Sequence, residues 1–184
     1  MTRIFDVILS VSGLVIGAPV LALLWLLGWL DSGSPIFRQE RVGRNQKSFT
    51  LVKFRTMRPN SASVPTHLAD ASAVTKLGHF LRRTKLDELP QLWNVFKGEM
   101  SLVGPRPCLL SQLELIEERS SRGVFSVRPG ITGLAQINGI DMSTPKLLAK
   151  VDALMLQHMG ARAYFDYIIK TATGAGRGDR IRQE

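Results

Sequence analysis

Hydrophobic and polar positions divide the chain into a long apolar opening and a mixed remainder. No charged residue occurs from Val7 to Leu30, a run dominated by Val, Leu, Ile, Ala and Gly. About 20 apolar residues suffice to cross a bilayer core. Ala18-Pro19 falls inside the run, removing a backbone hydrogen bond and predicting a bend there. Ser10, Ser12 and Gly13 lie just upstream, where they can help satisfy the freed backbone groups. A cleaved signal peptide, a spanning helix and a re-entrant hairpin all begin from such a pattern. Asp6 and the length of the run count against the signal peptide. Arg3 before the run and Arg38, Arg41, Arg44 and Lys47 after it place both flanks on the positive, cytoplasmic side. That favours a re-entrant hairpin over residues 1–30.

After the turn cluster Asp31–Pro35, the pattern changes period. Ile36–Gly43 and Ser48–Met57 alternate as two short strands and predict a hairpin with one apolar face. Lys53 and Arg55 share one side of it, as a solvated basic edge or as a phosphate or headgroup contact. The stretch from Arg58 to Ala73, small, polar and punctuated by proline, reads as a mobile loop that orders over substrate. Helical spacing resumes from Val74 to Arg83. It returns through Leu86, Leu89, Leu92, Trp93 and Phe96, in Leu109–Arg122, and in Lys146–Thr173 with a break near Gly160. Glu114, Glu117 and Glu118 read as a solvated face. Arg128–Gly133 has the proline and glycines of a tight turn whose N–H groups can meet an anion. The last long helical stretch reads as core packing, with a bilayer-surface helix as the second option. The expected fold is α+β and mainly helical: an anchor (1–30), a compact cytosol-facing domain with surface amphipathic helices (31–173) and a flexible basic tail (174–184).

Charge narrows the partners. The 184 residues hold 24 Lys and Arg against 15 Asp and Glu, a net charge of +9. That excess calls for a polyanionic partner: nucleic acid, anionic lipid or a phosphorylated substrate. The low aromatic content and the lack of a helix-turn-helix, RNP or zinc-finger signature argue against nucleic acid. Cys108 is the sole cysteine, as suits a reducing compartment. His67, His79 and His158 lack ligand-like spacing for zinc.

Candidate chemistry concentrates at Asp87-Glu88, preceded by Arg82, Arg83 and Lys85. The spacing predicts that a helix begins there, with Asp87 as N-cap and Pro90 in the first turn. An ionised carboxylate among cations at a helix start suits attack on, or metal-assisted handling of, a phosphate ester. For an isolated Asp-Glu pair the bland reading, a cap and a solvated neighbour, would win.

Longer motifs overturn that prior. Leu86-Asp-Glu-Leu-Pro-Gln-Leu-Trp-Asn94, then Lys97-Gly-Glu-Met-Ser-Leu-Val-Gly-Pro-Arg-Pro107, then Val127-Arg-Pro-Gly-Ile-Thr-Gly-Leu-Ala-Gln-Ile-Asn-Gly139 occur in order. With Lys53-Phe-Arg-Thr-Met57 and the apolar start, the set closely resembles the bacterial sugar transferases known as small monotopic phosphoglycosyl transferases.

The resemblance implies transfer of a sugar phosphate from a nucleoside diphosphate sugar, usually a UDP-sugar, to polyprenol phosphate, as the first membrane step of glycoconjugate synthesis. It makes Asp87 the nucleophile that forms a covalent aspartyl phosphosugar and expels a nucleoside monophosphate. Glu88 becomes the second carboxylate, with a role in metal binding or positioning, and Mg2+ the expected cofactor at the pair. Arg106 is expected to hold phosphates. Arg82, Lys53 and Arg128 occupy matching basic positions, with a structural turn role open for Arg128. Ala18 and Pro19 match the bend of a re-entrant anchor on the cytoplasmic face of the bacterial inner membrane, against anionic lipid; a homo-oligomer stays open. Longer members carry extra N-terminal modules, so this chain is expected to be the minimal catalytic unit. Ile140 and Met155 stand where many relatives have Arg and Tyr, which bears on donor recognition and leaves the acidic pair untouched. A nucleotide-sugar hydrolase and a non-catalytic basic membrane adaptor are the rival readings.

Overall fold

The computed structural model describes residues 2–59 and 71–176. The apolar opening forms two helices, α1 (Thr2–Ile16) and α2 (Ala18–Ser32), bent by 63° at Gly17. The bend falls one residue before the expected dipeptide, and Pro19 sits in the first turn of α2, where its missing N–H costs little. Gly17 N–H still donates to Gly13 and Leu21 N–H to Gly17, so the break is an elbow rather than an antiparallel hairpin. Among the described residues no single helix is long and apolar enough to cross a membrane, but the bent pair passes that test together. Much of its apolar surface faces outward, including Val15, Ile16, Leu23, Trp25, Trp29 and Leu30.

The charges before the apolar run do more than flank it. Asp6 is 1% exposed. Its Oδ1 accepts from Ser101 Oγ (2.9 Å), Leu102 N–H (2.9 Å) and Tyr164 Oη (2.8 Å). Arg3 donates to the carbonyls of Val95 (2.5 Å) and Phe96 (2.7 Å). α1 is therefore fastened to the body of the protein.

That body begins with the expected hairpin: β1 (Ile36–Val42) pairs antiparallel with β2 (Ser48–Phe54), Phe37 opposite Lys53 and Val42 opposite Ser48. Met57 bridges Val74, and Arg58 N–H donates to Ala73, closing the stem of the 58–73 segment. Residues 60–70 of that expected mobile loop lie outside the described residues, as do 177–184 of the expected tail. α3 (Lys76–Thr84) follows, capped by Thr75 Oγ1 accepting from Gly78 N–H. Next come α4 (Gln91–Lys97) and β3 (Ser101–Val103). A Cβ on Gly13 would meet Leu92 at 2.9 Å, so α1 and α4 are in close contact.

Two three-residue strands form a parallel pair: β3 lies beside β4 (Gly130–Thr132), joined by a crossover through α5 (Leu113–Ser121). The segment expected as a tight turn is thus partly strand. A Cβ on Gly130 would lie 2.0 Å from the Gly104 nitrogen; only glycine permits this approach. α6 (Leu134–Ile137), α7 (Pro145–Gln157) and α8 (Ala161–Ala172) complete the fold, with the last two separated near Gly160 as expected. Leu148, Ala149, Met155, Tyr164 and Tyr167 are buried, so core packing accounts for one face of each helix. The architecture is α+β and mainly helical.

Candidate active site

α3 ends where Lys85 adopts a left-handed conformation (φ 59°). That reversal throws Leu86–Glu88 into a single 3-10 turn, and α4 starts only at Gln91, with Pro90 at its N-cap. Asp87 is therefore not the N-cap of α4. The N–H groups of Leu92 and Trp93 are taken by the carbonyls of Leu89 and Pro90, which leaves no cap for a carboxylate to supply. The acidic pair sits one turn earlier, facing β2 and the Gly104–Pro107 loop.

Asp87 is buried, with 6% of its surface exposed. Among the described residues no group donates a hydrogen bond to its carboxylate. Burial and then the neighbouring Glu88 charge push it up to about 6, against the pull of Lys53, Arg106 and Arg82. Glu88 takes the opposite course. Burial opposes its charge, but Arg106 donates to its Oε1 at 2.6 Å. Arg106, Lys53 and Lys85 together hold Glu88 below the usual carboxylate range. Two adjacent carboxylates thus differ in surroundings: Arg106 clamps Glu88 and not Asp87.

The cations divide in the same way. Lys53 lies 5.5 Å from the Phe37 ring centre, which Arg55 also faces at 5.5 Å. Burial pushes the Lys53 ammonium down to about 8, against the pull of Asp87. Arg55 is bound to Ser34 through its carbonyl (2.8 Å) and hydroxyl (3.3 Å), a structural role. Arg82 Nε donates to buried Thr56 (2.9 Å) while its charge acts on Asp87. Arg128 is placed elsewhere: its Nε donates to the Gly98 carbonyl (2.7 Å), at the far end of α4. The structure does not bring it to the pair.

Arg41, a flanking charge in the sequence, also belongs to this group. It donates to the carbonyl of Pro107 (3.2 Å) and to Gln39 Oε1 (2.6 Å). Burial and then Arg106 lower it to about 10. Only the alternation of Phe37, Gln39 and Arg41 along β1 hinted at a shared face with Lys53.

No cluster of three metal-ligating side chains exists among the described residues. The donor set is two adjacent carboxylates, one of them paired with Arg106. That suits an ion such as Mg2+, which takes one or two carboxylates and completes its shell with water and substrate phosphates.

A model of the family described as bacterial sugar transferase matches residues 1–177. EpsL of Bacillus subtilis, an uncharacterized sugar transferase, is 44% identical over 140 residues, covering 76% of this chain and 69% of the relative. The UDP-glucose:undecaprenyl-phosphate glucose-1-phosphate transferase of Escherichia coli is 44% identical over 146 residues, 76% of this chain and 31% of the relative. The undecaprenyl-phosphate galactose phosphotransferase of Salmonella typhimurium is 38% identical over 156 residues, 76% and 33%. The chain belongs to the bacterial sugar transferase family. Its alignment spans about a third of several of these relatives, 35% and 32% for those from Haemophilus influenzae and Erwinia amylovora.

Proposed function

We propose that the chain is a phosphoglycosyl transferase moving a sugar 1-phosphate from a UDP-sugar to a polyprenol phosphate. The observation that carries this reading is Asp87: a buried carboxylate with no hydrogen-bond donor among the described residues, under the charges of Lys53, Arg106 and Arg82, beside a carboxylate that Arg106 already clamps. A structural carboxylate is normally bonded when buried; an unengaged one is available as a nucleophile. An adaptor that merely binds lipid leaves this arrangement unexplained. Relatives named for UDP-glucose and undecaprenyl phosphate support the donor and acceptor classes.

An Asp87 oxygen attacks the phosphorus bearing the sugar. The bond from that phosphorus to the bridging oxygen breaks, and UMP leaves with that oxygen. The acceptor phosphate oxygen then attacks the same phosphorus, the bond to Asp87 breaks, and the carboxylate is restored with polyprenyl diphosphosugar as product. Two steps let a soluble donor and a membrane-held acceptor use one site in turn. Arg106 and Lys53 hold the donor phosphates, Arg106 through its planar fork. Asp87 and Glu88 would hold Mg2+, which when bound neutralises charge on the phosphate oxygens.

The elbow of α1 and α2 enters and leaves the cytoplasmic leaflet as a re-entrant anchor. The exposed Phe80, Trp93 and Phe96 lie on α3 and α4, the helices packed against it, where an aromatic belt meets the bilayer surface. The test is UMP release from UDP-sugars by protein in nanodiscs. Release that requires polyprenol phosphate in multiple-turnover assays and vanishes in Asp87→Asn supports the transferase. Sugar phosphate freed without acceptor supports a hydrolase instead.

A further inference from the structure

Arg106 reaches Glu88 from a loop whose successive carbonyls are all held. Gly130 N–H donates to Pro105 (2.8 Å), Arg119 Nη1 to Arg106 (2.8 Å), Arg41 Nη1 to Pro107 (3.2 Å) and Val42 N–H to Cys108 (2.9 Å). With these carbonyls held and prolines on both sides, the Arg106 side chain extends to Glu88. Of these donors Arg119 is a fully buried charged side chain. Its side chain is 2% exposed, and its Nε (3.0 Å) and Nη2 (2.7 Å) both donate to Oδ2 of Asp152, itself 0% exposed. Among the described residues, buried Asp152 Oδ1 has no hydrogen-bond partner. Arg119 comes from α5 and Asp152 from α7, so the pair ties two helices to the carbonyl of the residue that grips Glu88.

We propose that Arg119 and Asp152 are positioning residues: Asp152 fixes the guanidinium fork of Arg119, and Arg119 fixes the Arg106 backbone so that its side chain meets the acidic pair and the donor phosphates. The phosphate part of this rests on the transferase reading. The ordinary alternative is a core ion pair that serves stability alone. Buried ion pairs argue poorly for that role, since well-packed apolar replacements are often neutral or stabilising. Here, among the described residues, one carboxylate oxygen is left unsatisfied besides. Arg119 also makes a contact that stability of the α5–α7 interface does not require, the one to Arg106.

The test uses Arg119→Met with Asp152→Leu, which fills the volume without charge, and Arg119→Lys, which keeps charge but loses the fork. Two readouts apply in nanodiscs. The first is hydrogen exchange over residues 104–109, expected to rise at least about tenfold while α1–α4 stay protected. The second is kcat/KM for the UDP-sugar in Arg106 and Arg106→Ala backgrounds. A displaced group costs on the order of 10- to 100-fold, so that loss is expected with Arg106 present, against less than about twofold without it. Equal losses in both backgrounds, or unchanged exchange at 104–109, would overturn the proposal. A wild-type protein inactive with every donor would instead refute the transferase reading, and the exchange measurement would still decide whether Arg119 fixes the loop.

Discussion

Asp6 makes the connection between anchor and catalytic body testable. Replacing it with alanine removes the one oxygen that accepts from Ser101 Oγ, Leu102 N–H and Tyr164 Oη. Tyr164 is 0% exposed and Ser101 7%, so neither hydroxyl turns freely to solvent. A buried donor left unsatisfied costs about 1–3 kcal/mol. Three such donors set an upper range, which a water entering the vacated space and the relief of carboxylate burial reduce. The expected loss is about 3 kcal/mol. For a chain of this length each kcal/mol lowers Tm by about 2–4 °C, giving a fall of roughly 6–12 °C. Asp6→Asn keeps an acceptor oxygen and should lose about half as much. The assay is thermal unfolding of nanodisc-held protein followed by tryptophan fluorescence. A Tm within about 2 °C of wild type for Asp6→Ala would refute the argument that this carboxylate fastens α1 to β3 and α8.

Further predictions concern the site itself. Donor kcat/KM should fall above about pH 8 as Lys53 loses its charge; Lys53→Arg should remove this alkaline limb, and a flat profile from pH 7 to 9 would contradict the assignment. Arg106→Ala should lower kcat/KM about 10²- to 10³-fold, the scale for one preorganised donor to a reacting phosphate. Gly130→Ala should fail to fold or unfold at much lower temperature, since its Cβ would lie 2.0 Å from the Gly104 nitrogen; wild-type Tm would contradict the close approach of β3 and β4.

What the sequence made legible follows from period and length. The apolar run, the alternating hairpin and the longer helices each repeat their signal enough times to be read, and the ordered motifs marked Asp87, Glu88 and Arg106. β3 and β4 escaped because three residues hold too little alternation, and their pairing depends on Gly104 and Gly130 meeting across a long connection. Asp87 looked like a helix cap because Leu86, Leu89 and Leu92 continue the helical spacing through a turn that is in fact 3-10; the left-handed Lys85 that separates the two carries no glycine to mark it. Arg41 looked like a flanking charge, and Asp6 only like a mark against a signal peptide, because Pro107, Ser101 and Tyr164 lie far away in sequence, as do the partners of Arg119 and Asp152. Arg128 matched the motif but serves the Gly98 carbonyl.

The covalent role of Asp87 is tested most directly by the intact mass of nanodisc-held protein incubated with Mg2+ and a panel of UDP-sugars, with no acceptor lipid. The account predicts a gain equal to one phosphosugar, absent in Asp87→Asn and lost when polyprenol phosphate is added. An adduct that persists in Asp87→Asn, or acceptor-dependent UMP release by a wild-type protein that never carries the adduct, would contradict it.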